Sequence, residues 1–262
     1  MVTAETIIRY VEGLSGHPLN ADEGVHHRTP EGTVSGVTVC WMATPAAIAA
    51  AGQSGDDLLL THESLYFPYD VVIVKNPPVD WKEWRTNRQR RELLDKYKLS
   101  CLRVHGSLDE ICIFDDFAAL LGLGQPVYAN QLVKVYEIET CSLESLVGLV
   151  KRKTHMAALR VSPVQDMEQM VRRVGLPWGG LGLYSNVAYQ QRLIEQACDV
   201  LIAGESDNYG FRFSKECGIP MIETSHELSE LPGLRHFVTV LGKAFPDLHV
   251  HLFEETCAWE MH

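Results

Sequence analysis

No apolar stretch in the sequence approaches the roughly 20 residues that a membrane-spanning helix needs. No Cys-x-x-Cys pair occurs, and the seven cysteines (Cys40, Cys101, Cys112, Cys141, Cys198, Cys217, Cys257) are odd in number. Most sit inside apolar runs such as VTVCWMA and LSCLRV, the pattern of small buried hydrophobes in a reducing compartment. A disulfide frame or a thiolate zinc site is not expected. The first residues, MVTAETIIRYVEG, lack the basic start and apolar run of a signal peptide. H-E-x-x-H, G-x-S-x-G and zinc-deaminase signatures are missing too. These absences lead to the expectation of a soluble, cytoplasmic protein.

What is present is a full core. The chain has 262 residues, 46% hydrophobic and 22% charged, enough for one large domain or two small lobes sharing an interface. The net charge is -11, from 34 acidic and 23 basic side chains. That field opposes nucleic acid and anionic membrane, so neither is expected as a partner. The basic cluster from Lys82 to Lys98 alternates with Trp81, Trp84, Leu93, Leu94 and Tyr97 and reads as the solvated face of an amphipathic helix, with an anion patch as the alternative.

Short β-rich runs alternate with helical patterns, which predicts an α/β fold with sheets covered by helices. Strands are expected at 34–41, 57–61, 71–75, 101–104, 132–139, 156–162, 200–204, 219–224 and 249–253. Helices are expected at 45–52, 80–98, 110–122, 142–153, 164–173, 187–198, 208–217 and 233–244. Gly and Pro in GLGQPVYANQ, 122–131, mark a soft seam between lobes spanning 1–125 and 126–262.

Functional groups in open α/β sheets gather beyond the carboxyl ends of strands. Three predicted strands end in metal-type residues: DLLLT runs into His62-Glu63, CLRV into His105 with Asp109 following, and IPMIET into His226 with Glu230 following. Each residue also has a plain structural explanation. His62 and His105 can terminate strands, and Asp109 suits a helix dipole. Ser107 with Glu110, and Thr224 with Glu227, fit capping boxes, which removes both glutamates from the donor set. His226 and Glu230 share a face if their segment is helical. Pro232, however, suits the first turn of a new helix, which would leave His226 in a loop. GGLGLYSN, 179–186, reads as a tight turn before a helix with Ser185 or Asn186 as cap. His26-His27 reads as surface, and His249 and His251 as an exposed strand face.

The runs LLLTHESLYFP, HGSLDEICIFDDFAALLGL and CDVLIAGESDNYGFRFSKECGIPMIETSHELSE resemble the NGG-interacting-factor-three-like family, whose members are labelled dinuclear metal centre proteins or type-two GTP cyclohydrolase I homologues. The resemblance implies two α/β lobes, a two-metal site between them and, often, a ring-shaped homo-oligomer. Matched position by position, it implies metal ligands at His62, Glu63, Asp109, His226 and Glu230, with His105 lining the site. This chain has His62-Glu63 where the family usually has His-His, Ala-Gly-Glu at 203–205 where it has Thr-Gly-Asp, and no N-terminal Trp-Asp-x-x-Gly-Leu motif.

Such a donor set suits two divalent ions drawn from Zn, Fe, Mn, Co or Ni. Three carboxylates and a bridging hydroxide balance two such ions, and Glu63 in place of a neutral imidazole favours harder ones. An ion pair of this kind activates water at neutral pH, with His105 orienting a ligand or shuttling a proton. The expected function is therefore a metal-dependent hydrolase acting on a small phosphorylated or heterocyclic molecule. The alternatives are a non-catalytic metal-binding or regulatory protein and an interaction scaffold with a degenerate site.

Overall fold

The computed structural model describes residues 1–30, 32–68, 76–255 and 257–259. In chain order the elements are α1 (Ala4–Ser15), β1 (Gly24–His27), β2 (Gly36–Cys40), α2 (Pro45–Ser54), β3 (Leu58–Thr61), α3 (Arg85–Tyr97), β4 (Ser100–Arg103), the single turn α4 (Gly106–Leu108) and α5 (Phe114–Leu121). There follow β5 (Tyr128–Asn130), β6 (Val133–Ser142), α6 (Leu143–Thr154), β7 (Arg160–Val161), β8 (Met170–Gly175) and α7 (Val187–Ile194). The last elements are β9 (Val200–Ala203), α8 (Asn208–Glu216), β10 (Met221–Glu223), α9 (His226–Ala244) and β11 (His249–Phe253). The expected α/β architecture is present, as two sheets flanked by helices.

The chain forms two compact units. One comprises Met1–Cys112 with Leu234–Cys257, the other Ile113–Gly233 with Ala258–His262. The C-terminal strand thus returns to the first unit.

The first unit holds a five-stranded sheet in the order β1-β4-β3-β2-β11. Its β4, β3, β2 and β11 are parallel, and β1 adds an antiparallel edge. β2 and β3 are buried along their whole length, which is why they read as continuous apolar runs instead of alternating ones. Ala47, Ile48 and Ala51 of α2 and Leu94 of α3 pack with Leu59 and Cys101 in one core cluster. Thr44 and Gly55 cap the two ends of α2, and Pro45 occupies its first turn.

The second unit holds a six-stranded mixed sheet, ordered β5-β6-β8-β9-β10-β7. β8, β9 and β10 are parallel, and the other neighbours pair antiparallel. Leu193 of α7 packs with Val133, Val135, Leu201 and Met221. Phe114 stacks on Trp178 with ring centroids 4.1 Å apart.

Several local expectations are corrected. The helix expected at 164–173 is a turn leading into β8. Good helix formers in QDMEQMVRR are overridden by ladders to β6 and β9, and Val171 and Val174 face the core while Met170 and Arg172 are exposed. Pro232 lies inside α9 instead of starting a new helix, so His226 is helical. Residues 226–230 therefore form the helix's opening turns. The strand expected at 71–75 lies outside the described residues. Among the described residues no helix is long and apolar enough to cross a membrane.

Candidate metal-binding sites

In the first unit His62 and Glu63 follow directly on β3, and β4 leads through Val104 to His105. The backbone of the pair continues the ladder, His62 N–H donating to Cys40 O at 3.2 Å and Glu63 N–H to Trp41 O at 2.7 Å. The His62 side chain is fully buried. Its Nδ1 lies 3.2 Å from the Val104 carbonyl, which can only accept, so the hydrogen bond puts the proton on Nδ1 and leaves Nε2 as a donor to metal. Nε2 stands 3.9 Å from Asp109 Oδ1. The rings of His62 and His105 have centroids 4.9 Å apart. One donor atom from each of His62, Glu63 and His105 lies within 4.8 Å of the others, a cluster able to hold a metal ion.

A buried cation supports this cluster. Arg103, the last residue of β4, is fully buried. Its Nε donates to the His62 carbonyl at 3.1 Å, one terminal nitrogen lies 3.1 Å from Asp22 Oδ2, and the other 4.0 Å from Glu63 Oε2. Asp22 also lies 3.0 Å from His105 Nδ1. The hydrogen bond to His105 and the Arg103 guanidinium hold the Asp22 carboxyl below its usual range, against the opposing effect of burial.

The turn carrying Asp109 is not capped locally. Ser107 is buried, and the His105 side chain, though at the cap position, makes no capping bond to the turn. Glu23 caps it from 84 residues away, accepting from Ser107 N–H at 2.9 Å, Ser107 Oγ at 2.7 Å and His105 N–H at 2.6 Å. Glu110, expected to complete a capping box, pairs instead with His17 at 3.0 Å.

In the second unit, His226 opens α9 and Glu230 follows one turn later on the same face, with Nε2 to Oε1 at 3.2 Å. Glu205, just beyond β9, faces the other ring nitrogen at 3.0 Å and fixes its orientation. Ser225, not Thr224, caps the helix, its hydroxyl accepting from Leu228 N–H at 3.4 Å. The Thr224 hydroxyl instead donates to the Ala203 carbonyl, tying β10 to β9. Neighbouring Glu223 is engaged elsewhere, by Arg160 Nε at 2.9 Å and Ser206 N–H at 3.0 Å.

Gly179 makes room for this arrangement. It sits at φ 51°, and a Cβ there would overlap Glu230 Oε1 and approach His226 Nε2 to 3.2 Å. Its N–H donates to Ser229 Oγ at 2.9 Å, and its carbonyl accepts from Glu205 N–H at 2.7 Å. The glycine-rich segment is a pair of tight 3-10 turns, as the sequence indicates, but its first glycine also borders the donors. Asp22, Glu23, Arg103, Gly179 and Glu205 were all missed as site-forming residues. Only Glu205 carried a sequence signal, standing where the resembled family has a different acidic residue.

The architecture defines a chain of two α/β units with imidazole and carboxylate donors at strand ends. A sequence profile of the Duf34/NIF3 (NGG1p interacting factor 3) family matches residues 20–257, and the chain belongs to that family. Solved structures share its fold, among them the following three. The protein ybgI, titled as of unknown function, is 20% identical with a TM-score of 0.79, covering 98% of this chain and 99% of its own. A Bacillus cereus protein related to NIF3 is 12% identical with a TM-score of 0.79, covering 99% of each chain. Reduced HcgD from Methanocaldococcus jannaschii is 18% identical with a TM-score of 0.72, covering 96% of this chain and 97% of its own. No curated protein sequence matches the chain.

Proposed function

We propose that this protein binds two divalent metal ions through His62, Glu63, Asp109, His226 and Glu230 and uses them to hydrolyse a small phosphorylated or heterocyclic molecule. The reading rests chiefly on imidazole and carboxylate donors beyond the carboxyl ends of β3 and β4 in one unit and of β9 and β10 in the other, where α/β enzymes place their chemistry, with His62, Glu63 and Glu230 buried. Two imidazoles and three carboxylates suit first-row divalent ions such as Zn, Fe, Mn, Co or Ni. Such ions would supply Lewis acidity and neutralise charge developing on the substrate. The chain's own residues have separate tasks. Val104 O and Glu205 each hold one ring nitrogen of His62 and His226, presenting the other. His105, held by Asp22, is placed to orient a ligand or pass a proton. Family membership supports a homo-oligomer as part of the same proposal.

Arg103 favours a second reading. A guanidinium 4.0 Å from Glu63 already neutralises that carboxylate, so Glu63 need not ligate. The protein would then be a non-catalytic metal binder or a scaffold.

Metal content per chain on tag-free protein separates the two. About two ions, lost in a His226→Ala, Glu230→Ala double variant, support the dinuclear centre. Turnover of a phosphoester, nucleotide, amide or cyclic substrate by the loaded protein then supports hydrolysis. No retained metal after reconstitution with Zn, Mn or Fe overturns the first reading in favour of the second.

A further inference from the structure

A third donor cluster lies in the first unit, formed by residues that the proposed hydrolase does not use. His249 and His251 stand two apart on β11, so both side chains project from one face. β11 is an edge strand, paired in parallel with β2 so that His249 lies opposite Gly36 and His251 opposite Thr38. The expected exposed strand face holds for His249, whereas His251 is half-buried. His251 Nε2 lies 3.1 Å from Asp56 Oδ2 and 2.9 Å from Thr38 Oγ1, and the ring's Nδ1 is buried. The rings of His249 and His251 have centroids 5.0 Å apart. One donor atom from each of Asp56, His249 and His251 lies within 4.8 Å of the other two.

The carboxylate is built in. Asp56 has its side chain almost wholly buried. It occupies the space left by the absent side chain of Gly36, where a Cβ would overlap Oδ1. The Thr38 hydroxyl hydrogen-bonds to Asp56 Oδ2 and orients it. His249 is exposed and can turn toward the other two, leaving the outer side open to solvent.

We propose that Asp56, His249 and His251 form a separate mononuclear site for a first-row divalent cation of the zinc class. Two imidazoles and one carboxylate are the nitrogen and oxygen donors such ions take, with water completing the shell. Tetrahedral ligands at ordinary zinc distances stand roughly 3.4 Å apart. The 3.1 Å separation of His251 Nε2 and Asp56 Oδ2 is close to that value. An ion would stand between them in place of the hydrogen bond that His251 Nε2 now shares with Thr38 Oγ1, and His249 would turn inward to become the third ligand.

Zinc titration of the full chain, tag-free and stripped with a chelator, tests this. The titration is run in wild type and in the His226→Ala, Glu230→Ala background, each with and without His249→Gln. The added His249→Gln is expected to remove one zinc per chain in both backgrounds, or to weaken that zinc at least tenfold. Failure of the dinuclear reading would change the background count but not this difference. His249 is exposed, so the stripped variant should unfold at the wild-type temperature. Micromolar zinc should raise the unfolding temperature of the His226→Ala, Glu230→Ala protein, and the rise should disappear when His249→Gln is added. Equal zinc counts with and without His249→Gln, or a difference seen only at millimolar zinc, would overturn the proposal.

Discussion

The two units carry similar donors at similar strand ends but hold them by different means. In the first unit His62 and Glu63 extend β3, with their backbones bonded to β2's end and their side chains buried beside the Arg103 guanidinium. In the second, His226 and Glu230 are aligned by helical periodicity, Glu205 is about half exposed, and a glycine provides the space. One arrangement depends on a buried charge balance and the other on shape. Removing a partner from the first strands a charge in a medium that solvates it poorly. Adding an atom to the second displaces a carboxylate but leaves no charge stranded.

The largest expected effect follows from that asymmetry. Arg103→Met removes the cation between Asp22 and Glu63, and breaking a buried pair this way costs about 3–5 kcal/mol. Urea unfolding of metal-free protein measures it. A loss below about 1 kcal/mol would mean that the first unit does not depend on charge balance. Gly179→Ala is the corresponding change in the second unit. The left-handed backbone and the overlap with Glu230 should together cost about 1–3 kcal/mol. The same variant should lose metal retention while keeping its circular dichroism spectrum. Unchanged retention would show that the Glu230 side chain can move aside and still ligate.

The comparison also bears on what the sequence discloses. Parallel strands of the first unit announce themselves, since burial on both faces keeps LLLT free of charge and CLRV mostly apolar, and the donors following them can be named from position alone. In the second unit β8 carries Met and Arg among its core valines and passes for a helix, because its state is decided by partners on β6 and β9. Residues that act at long sequence range leave no local mark. Glu23 caps a turn 84 positions away, and Arg103 looks like a solvated strand residue until Asp22 and Glu63 surround it. Gly179 signals a turn correctly, but nothing in GGLG says that its missing side chain serves Glu230. Pro232 points the wrong way, because its rule governs isolated helix starts and α9 carries it past its opening turns.

A smaller effect concerns pH. Asp22 titrates below its ordinary value of 3.8 because its ionised form is bonded to His105 and faces Arg103. A depressed folded-state pKa gives stabilisation that is fully present above the ordinary value and disappears as pH falls through the folded one. Asp22→Asn should therefore be less stable than wild type at neutral pH, with the gap closing as pH falls below about 4. Unfolding midpoints across that range measure the gap. A gap independent of pH would mean that the amide loses shape complementarity and not charge.

The smallest effect is expected where the same chemistry meets solvent. Arg235 and Glu254 make a two-pronged pair in the first unit, at 2.7 and 2.6 Å, with both side chains about half exposed. The hydrogen bond to Glu254 raises the Arg235 pKa, and the reciprocal bond lowers that of Glu254, so both partners favour the charged pair. Water nevertheless competes for both groups, and ordering two long side chains opposes the contact. A double-mutant cycle with Arg235→Ala and Glu254→Ala should give a coupling of about 0.2–1 kcal/mol, shrinking further in 1 M salt. Arg103 and Arg235 both meet carboxylates at close range, and the fold differs between them mainly in burial. A coupling for the exposed pair as large as the Arg103 loss would show that geometry, and not desolvation, sets the energy of ion pairs in this unit. A coupling several times smaller would place the stability of the metal-site scaffold in its buried cation.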